Sequence, residues 1–333
     1  MLATPYQGLT PDRILDALAS IGLPGDGRLL SLNSYENRVY RVHLEGDASA
    51  PDAGAQAVVV KFYRPERWSD EQILEEHGFA QELAGHEIPV VAPLAQEGRT
   101  LHEFEGFRFA VFPVHGGRAP ELEDPAILTR IGRFIGRIHR VGAVRAFLAR
   151  PTLDQVSFGT EPRDWLLANN WVPADLLAPW RSVADLALES VQACFERAGD
   201  VARIRTHGDC HIGNLLWSDG GPHFVDLDDA RNGPAIQDLW MLISGDREAM
   251  TRQLSDLLAG YEDFAELDPR ELHLVEALRT LRLMHYSAWL ARRWDDPAFP
   301  SAFPWFNTHH YWQDRILELR EQVAAMAEPA LAV

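Results

Sequence analysis

Apolar residues at helical spacing follow a capping signal near the start of the chain. Thr10-Pro11-Asp12 supplies a capping hydroxyl and a proline in the first turn, and apolar residues then recur on one face as far as Gly22. This pattern predicts a short helix. Runs of apolar and β-branched residues next predict three strands, over 28–32, 39–44 and 57–63. The Ala-, Gly-, Asp- and Pro-rich segment 45–56 predicts a long hairpin connection.

A second capping signal, Ser69-Asp70-Glu71, starts a helix with an apolar stripe. Two more apolar runs, 100–104 and 107–112, flank Glu105-Gly106 and predict a hairpin. Beyond Pro113 the pattern becomes helical, beginning with 127–138. We therefore predict two domains, an N-terminal lobe over residues 1–114 and a C-terminal lobe over residues 115–333.

The second half of the chain carries mostly helical periodicity. Helices are predicted within 161–196 and over 239–243, 254–261, 272–290 and 316–326, and an ordered loop over 294–305. The predicted fold class is α+β, with a small antiparallel-sheet N-lobe and a larger, mostly helical C-lobe.

Composition narrows the choice of partners. The 333 residues include 31 basic and 49 acidic side chains, a net charge of −18, which would repel nucleic acid and anionic membranes. Two cysteines, Cys194 and Cys210, form neither a disulfide framework nor a zinc pattern. The N-terminus lacks the basic and apolar parts of a signal peptide, and no apolar run is long enough to span a bilayer. We expect a cytoplasmic monomer without a membrane or nucleic-acid partner.

Two short motifs carry the chemistry. The first runs from Thr206 to Asn214 and contains His207-Gly208-Asp209, and the second is Phe224-Val225-Asp226-Leu227-Asp228-Asp229 at the end of an apolar strand. Phosphoryl transfer from Mg-ATP needs one carboxylate to accept the hydroxyl proton and hard oxygen ligands for magnesium. Asp209 is our candidate for the carboxylate, and Asn214 and Asp226 are our candidate ligands. Asp228 is a further candidate for the same ion.

Lys61 ends an apolar strand and could reach nucleotide phosphates, although a lysine in this position is more often solvated. Glu76 lies on the following helix beside its buried stripe, so we choose it as the carboxylate that orients Lys61. ATP is expected beneath Lys61, with adenine against the linker 111–114 and its Phe112.

The segment between the first two strands lies where a phosphate-covering loop is expected. It lacks a GxGxxG pattern, so glycine backbone cannot cradle the phosphates there. Ser34 or Asn37 could donate hydrogen bonds to phosphate oxygens instead. A plain hairpin turn explains the same residues without any ligand.

Two further interpretations concern residues around the first motif. His207, Asp209, Cys210 and His211 include zinc-ligand types, but their nearly consecutive spacing disfavours convergence on one ion. We expect His207 to be structural and Cys210 to be a small packed residue.

Asp238, in Gly233-Pro234-Ala235-Ile236-Gln237-Asp238-Leu239, is expected to brace the loop through backbone N–H groups.

The run His207-Gly208-Asp209-x-His211-x-Gly213-Asn214, the later Val-Asp-Leu-Asp-Asp and the segment around Asp238 resemble the aminoglycoside phosphotransferase and choline kinase-like branch of the protein kinase-like fold. More closely, segments 32–40, 60–68 and 226–233 are similar to a bacterial family of stress-response serine/threonine kinases. The resemblance extends over about residues 10 to 325.

That resemblance implies a bilobal kinase fold and a cytoplasmic, Mg-ATP-dependent serine/threonine protein kinase that can phosphorylate itself. By motif match it makes Asp209 the catalytic base, Asn214 and Asp226 the magnesium ligands, Asp226 also an active-site residue, and Ser34 a nucleotide contact. The chain departs from ordinary protein kinases in lacking a Gly-rich loop, a DFG and an APE motif.

Two alternatives stay open on the residues alone. The acceptor is either a protein, including the chain itself, or a small hydroxyl-bearing molecule of the aminoglycoside, choline or homoserine type. A nucleotide-binding regulator without turnover is the other alternative, although such proteins usually lack at least one member of the set Lys61, Asp209, Asn214 and Asp226.

Overall fold

The computed structural model describes residues 5–46 and 57–333, so the predicted connection from residue 47 to residue 56 lies outside the described residues. Nine helices and nine strands follow one another within them. In chain order they are α1 (Pro11–Ala19), β1 (Gly25–Ser31), β2 (Arg38–Leu44), β3 (Ala57–Phe62), α2 (Asp70–Gly85), β4 (His102–Phe104), β5 (Phe107–Pro113), α3 (Pro125–Gly142), α4 (Glu161–Ala168), α5 (Leu177–Ala198), β6 (Ile204–Thr206), β7 (Leu215–Ser218), β8 (Gly221–Phe224), β9 (Arg231–Gly233), α6 (Arg247–Tyr261), α7 (Val275–Arg292), α8 (Ala298–Ala302) and α9 (His309–Ala327).

The predicted capping signals start the first two helices. The Thr10 hydroxyl accepts from Arg13 N at 3.3 Å, and Ser69 and Gln72 form a reciprocal capping box at the start of α2. Two predictions about the second half were wrong. Residues 239–243 contain only a 3₁₀ turn, Trp240–Leu242, and the segment 294–305 contains the helix α8 instead of being loop throughout.

The chain divides into two compact units. The first comprises the described residues up to Arg118 together with Leu216–Asp228, and the second comprises Ala119–Leu215 and Asp229–Val333. The later segment joins the first unit through backbone pairing. Phe224 N donates to Pro89 O at 2.8 Å, and Val91 N donates to Phe224 O at 2.9 Å.

An antiparallel five-stranded sheet forms the centre of the first unit, with the strand order β1-β2-β3-β5-β4. Val58, Val60 and Phe62 of β3 bury their side chains with Ile14 and Leu18 of α1 in one core. The alternation along β3 therefore fixes which of its residues face this core. Lys61 points to the opposite face from Val60 and Phe62 because successive side chains alternate across a strand.

Glycines bring two helices of the second unit into close contact. A Cβ built at Gly132 of α3 would lie 1.9 Å from Leu257 O, and one at Gly260 of α6 would lie 1.8 Å from Thr129 O. Side chains at these positions would force the helix backbones apart. The same unit holds a large aromatic and aliphatic core that includes Trp180, Phe299 and Trp312. Across the described ranges, every helix is too short or too polar to span a lipid bilayer.

Candidate active site

The loop that carries Asp209 follows strand β6 directly. Gly208 has a φ of +84°, and a Cβ there would lie 2.1 Å from Asp229 O. Glycine is therefore required before Asp209, both by the left-handed backbone and by the close approach of another chain segment. The sharp turn at Gly208 ends the strand and directs the chain into the 207–214 loop.

Asp238 braces this loop, as the sequence predicts. Its carboxylate accepts from His207 N at 2.7 Å and from Gly208 N at 2.8 Å, and it lies 2.9 Å from His139 Nε2. Burial raises the pKa of Asp238, but His139, His207 and the Gly208 N–H together outweigh burial and hold the pKa below 3.8. Gln237 Nε2 also donates to Gly208 O at 2.9 Å. The loop backbone is thus fixed by buried hydrogen bonds within the second unit.

Asp209 lies among basic side chains. Arg282 of α7 donates to its Oδ1, and His211 Nε2 lies 3.4 Å from its Oδ2. Burial raises the pKa of Asp209, whereas His211 and Arg282 lower it, and the net pKa is below 3.8. The carboxylate is therefore ionised at neutral pH, which is the form that can accept a hydrogen bond from an alcohol.

Asn214 is held by the same loop. Its Nδ2 donates to Asp209 O at 2.9 Å, and its backbone N donates to His211 O at 2.9 Å. Because the two ends of an amide point in different directions, the bond to Asp209 O directs Oδ1 away from that carbonyl. Amide oxygens are suitable ligands for hard cations.

Lys61 and two acidic residues form the second group of predicted site residues, all within the first unit. Lys61 Nζ lies 2.9 Å from Asp226 Oδ1 and 3.1 Å from Asp228 Oδ1. Burial lowers the pKa of Lys61, but both carboxylates raise it, and the pKa ends well above its ordinary value. Lys61 is therefore a buried, charged ammonium.

Asp226 and Asp228 differ sharply in environment. The Asp226 side chain is 51% exposed and the Asp228 side chain only 4% exposed. Asp226 has a φ of +60°, in the left-handed region that costs energy for a residue with a Cβ. Backbone strain of this kind recurs at active sites and ligand-binding segments.

Asp228 lies at the centre of a charged and polar cluster. Besides Lys61, Arg67 Nη1 donates to its Oδ2, and Asn37 Nδ2 donates to the same oxygen at 3.1 Å. Asn37 Oδ1 accepts from Arg64 N at 3.1 Å. Both the nitrogen and the oxygen of the Asn37 amide are therefore hydrogen-bonded within the first unit, and the residue is 3% exposed. Asp228 joins three separate chain segments.

Two contacts of Glu36 also fix the segment between β1 and β2. Arg64 Nε lies 3.6 Å from Glu36 Oε1, and the Tyr6 hydroxyl donates to Glu36 O at 2.9 Å. Ser34 lies in the same segment with a partly exposed side chain. Contacts at Glu36 and Asn37 therefore fix one end of the segment between β1 and β2, whereas the Ser34 side chain is partly exposed to solvent.

Glu76 of α2, which the sequence places beside the buried stripe of that helix, is 3% exposed. Its charge raises the pKa of Lys61, after the larger contributions of Asp226 and Asp228. The neighbouring His77 joins Thr100 Oγ1, at 2.9 Å, to the Tyr63 hydroxyl, at 2.7 Å. Phe112 of β5 is half-buried against the core that contains Tyr63.

The structure therefore brings the predicted residues together in two groups. One contains Lys61, Asp226, Asp228 and Asn37, and the other contains Asp209 and Asn214. Sequence reasoning missed the contact of Arg67 with Asp228 and the contact of Arg282 with Asp209. Among the described residues, His, Cys, Asp and Glu side chains form no group of three or more suited to a metal ion, so the zinc alternative gains no support.

Comparison with known sequences identifies a family. A model described as the phosphotransferase enzyme family matches residues 28–275. Stress response kinase A of Escherichia coli (strain K12) is 46% identical to this chain over 329 residues, which cover 99% of this chain and 97% of that protein. A relative from Salmonella typhimurium, with the same identity and coverage, is named serine/threonine protein kinase RdoA.

Comparison with solved structures concerns the fold. Amicoumacin kinase hAmiN, solved with AMP-PNP, Ca²⁺ and Ami, has a TM-score of 0.71 at 19% identity and covers 95% of this chain and 94% of its own. Spectinomycin phosphotransferase, solved with ADP and spectinomycin, has a TM-score of 0.63 at 13% identity, with coverage of 97% and 96%. The predicted α+β fold of the aminoglycoside phosphotransferase type is confirmed.

Proposed function

This chain belongs to the phosphotransferase enzyme family, and on that premise we propose that it is a serine/threonine protein kinase that transfers the γ-phosphate of Mg-ATP to a hydroxyl group, including hydroxyl groups of its own chain. One observation carries the proposal: a braced loop holds an ionised Asp209 whose backbone carbonyl fixes Asn214. The relative named serine/threonine protein kinase RdoA supports a protein acceptor.

Asp209 is the residue that orients and deprotonates the acceptor hydroxyl. Its low pKa keeps it ionised, and Asp238 fixes the preceding backbone. A carboxylate of low pKa is a weak base, so we assign it mainly to orientation, with the proton moving late as the oxygen–phosphorus bond forms. Arg282 contributes by keeping this carboxylate charged.

Asn214 and Asp226 are the residues that would hold magnesium. Both offer oxygen atoms, which are the donors that Mg²⁺ prefers, and the Asp226 side chain is half exposed. Magnesium would neutralise charge on the transferred phosphates. Lys61, which lies 2.9 Å from Asp226 Oδ1, would contact the phosphates of the same nucleotide.

We assign Asp228 to positioning in place of metal binding. Its carboxylate is 4% exposed and is bonded by Lys61, Arg67 and Asn37. Taking these partners away to admit an ion would leave buried charges uncompensated. Asn37 is likewise assigned to this cluster and not to phosphate, because both ends of its amide have internal partners. Ser34 remains our candidate for the phosphate contact.

Two further features of the proposal come from the relatives and from the chain itself. The relatives named stress response kinase A support a role in stress protection. Both cysteines are buried thiols without a disulfide bond, which supports action in the reducing cytoplasm. We propose that Glu76 and the linker at Phe112 complete the nucleotide-binding surface of the first unit.

Transfer of labelled γ-phosphate tests the choice of acceptor. The purified protein is incubated with labelled Mg-ATP alone, with generic protein acceptors, and with a panel of aminoglycosides, choline and homoserine. We expect label on serine or threonine of a protein, with loss of the signal in the Asp209→Asn variant. Label on small molecules alone would overturn the protein kinase proposal and leave a small-molecule phosphotransferase.

A further inference from the structure

A cavity of about 430 Å³ lies on the first unit, and its described lining residues do not include Lys61 or the carboxylates that contact Lys61. It is lined by the beginning of α2, by the segment 98–103 that includes the start of β4, and by Arg108 of β5. Its volume falls within the range of about 300–1,000 Å³ that is typical of small-molecule sites. None of the residues that we assign to phosphoryl transfer lines it.

The walls of the cavity carry balanced charges. Asp70 and Arg108 pair at 2.7 Å and largely neutralise each other, which leaves Arg99 as the second cation and Glu103 as the second anion. A purely anionic ligand would meet two carboxylates, and a purely cationic ligand would meet two guanidinium groups. A zwitterion satisfies both signs at once.

Two further features define the rest of the ligand. The His102 ring lines the cavity and lies 5.4 Å from the Phe109 ring, so it supplies aromatic wall. Leu74 and Leu101 supply apolar wall, and Leu74 is 48% exposed. An apolar ligand group would cover this surface.

A chain of buried polar groups leads from the cavity toward Lys61. The hydroxyl of Thr100, a lining residue, lies 2.9 Å from His77 Nδ1, and His77 Nε2 lies 2.7 Å from the Tyr63 hydroxyl. Lys61 Nζ lies 5.3 Å from the centroid of the Tyr63 ring. A shift of the cavity wall can therefore change the surroundings of Lys61 through groups in direct contact.

We propose that this cavity is an effector site for a small zwitterion with an apolar side chain, such as a short apolar peptide, and that its occupancy changes nucleotide affinity through Thr100, His77 and Tyr63. The effect of occupancy on nucleotide affinity rests on the proposed nucleotide role of Lys61, whereas binding of the zwitterion in the cavity does not.

The probe is the dipeptide glycyl-leucine, and binding to the full-length protein is measured by calorimetry or ligand-observed NMR. For a ligand of this size we expect a Kd of about 1 mM. N-acetyl-glycyl-leucine, which lacks the cation, and glycyl-leucinamide, which lacks the anion, should each bind more weakly. Because turnover is not measured, failure here is distinct from failure of the kinase proposal.

Variants locate the site. Leu74→Trp fills the cavity with an indole ring, and Arg99→Gln removes its second cation and with it one charged hydrogen bond to the ligand. Each should weaken glycyl-leucine binding at least about tenfold, which for Arg99→Gln is the value of that hydrogen bond. Leu186→Trp, at an equally exposed leucine of α5, is the matched control and should bind like the parent. Absence of saturable binding, or equal binding by Leu74→Trp, would overturn the site.

Reciprocal binding tests the coupling. Mg-AMP-PNP should change the Kd for glycyl-leucine by about fivefold or more, and glycyl-leucine should change the Kd for Mg-AMP-PNP by the same factor. Thr100→Val removes the hydroxyl that contacts His77, so it should keep dipeptide binding and lose the mutual effect. Equal dipeptide affinity with and without Mg-AMP-PNP in the parent protein would overturn the effector role.

Discussion

Replacing Asp228 by asparagine tests the buried cluster that holds Lys61. The change keeps the shape of the side chain and removes the charge that compensates Lys61 and Arg67. Breaking a buried ion pair from one side costs about 3–5 kcal/mol. Asp226 remains 2.9 Å from Lys61 and still compensates part of its charge, so we expect the lower end, about 3 kcal/mol of unfolding free energy.

The assay is urea-induced unfolding of the parent and variant proteins, with free energies obtained by linear extrapolation. Asp263→Asn is the matched control. Asp263 pairs with Arg133 at 2.8 Å, but both side chains are about half exposed, at 47% and 48%, so its loss should cost less than about 1 kcal/mol. If Asp228→Asn is no less stable than Asp263→Asn, the buried cluster does not stabilise the first unit.

The same variant separates a positioning role from metal binding. Phosphate transfer is measured against magnesium concentration at saturating ATP. Asp226→Asn should raise the magnesium concentration needed for half-maximal activity, because it removes a proposed ligand. Asp228→Asn should leave that concentration unchanged and raise the KM for ATP, since Lys61 loses one of its two partners. A strong increase in the magnesium requirement of Asp228→Asn would restore it as a metal ligand.

Three further predictions concern ATP binding, helix packing and pH. Lys61→Met keeps the length of the side chain but loses the ammonium group. It should raise the Kd for AMP-PNP in equilibrium binding by about 10–100-fold, the usual value of a charge-assisted hydrogen bond. An unchanged Kd would remove Lys61 from the nucleotide site. Gly132→Ala places a Cβ 1.9 Å from Leu257 O and should destabilise the protein by about 1–3 kcal/mol in urea unfolding, whereas Gly78→Ala, with no atom within 4 Å of its Cβ, should not. Burial raises the pKa of Glu271 from 4.5 to about 7, so the stability that its proton provides is fully present below pH 4.5 and is lost as the pH rises through 7. Glu271→Gln cannot ionise, so it should lose this pH dependence of the unfolding free energy, which is worth about 3 kcal/mol. The unfolding free energies of both proteins are measured at several pH values from pH 5 to pH 8, and the same change with pH in both would contradict the assignment.

Local sequence signals were sufficient for most of the helices and strands. Thr10 and Ser69 cap the helices that follow them, and alternation along β3 sets the direction of Lys61. Asp238 was assigned to backbone N–H groups because a short acidic side chain at or before a helix start commonly accepts from them. The helix caps and the direction of Lys61 depend on neighbours in sequence or on regular periodicity, whereas the hydrogen bonds of Asp238 with His207 N and Gly208 N cross 31 and 30 positions.

Other features depend on residues far apart in the chain. Asp228 was a candidate metal ligand from sequence because it stands beside Asp226, yet its partner Asn37 lies 191 positions earlier. Arg282 contacts Asp209 across 73 positions, and no spacing rule connects them. The left-handed backbone of Asp226 also has no sequence signal, because aspartate rarely adopts it without support from surrounding structure.

The rate of γ-phosphate transfer by Asp209→Asn tests the proposed mechanism most directly. The acceptor is the one found to be labelled by the parent protein, and Asp263→Asn serves as the control for a surface carboxylate. We predict that Asp209→Asn binds Mg-AMP-PNP like the parent but transfers phosphate about 10²–10⁴-fold more slowly. Transfer at the parental rate would contradict the assignment of Asp209 as the residue that orients and deprotonates the acceptor.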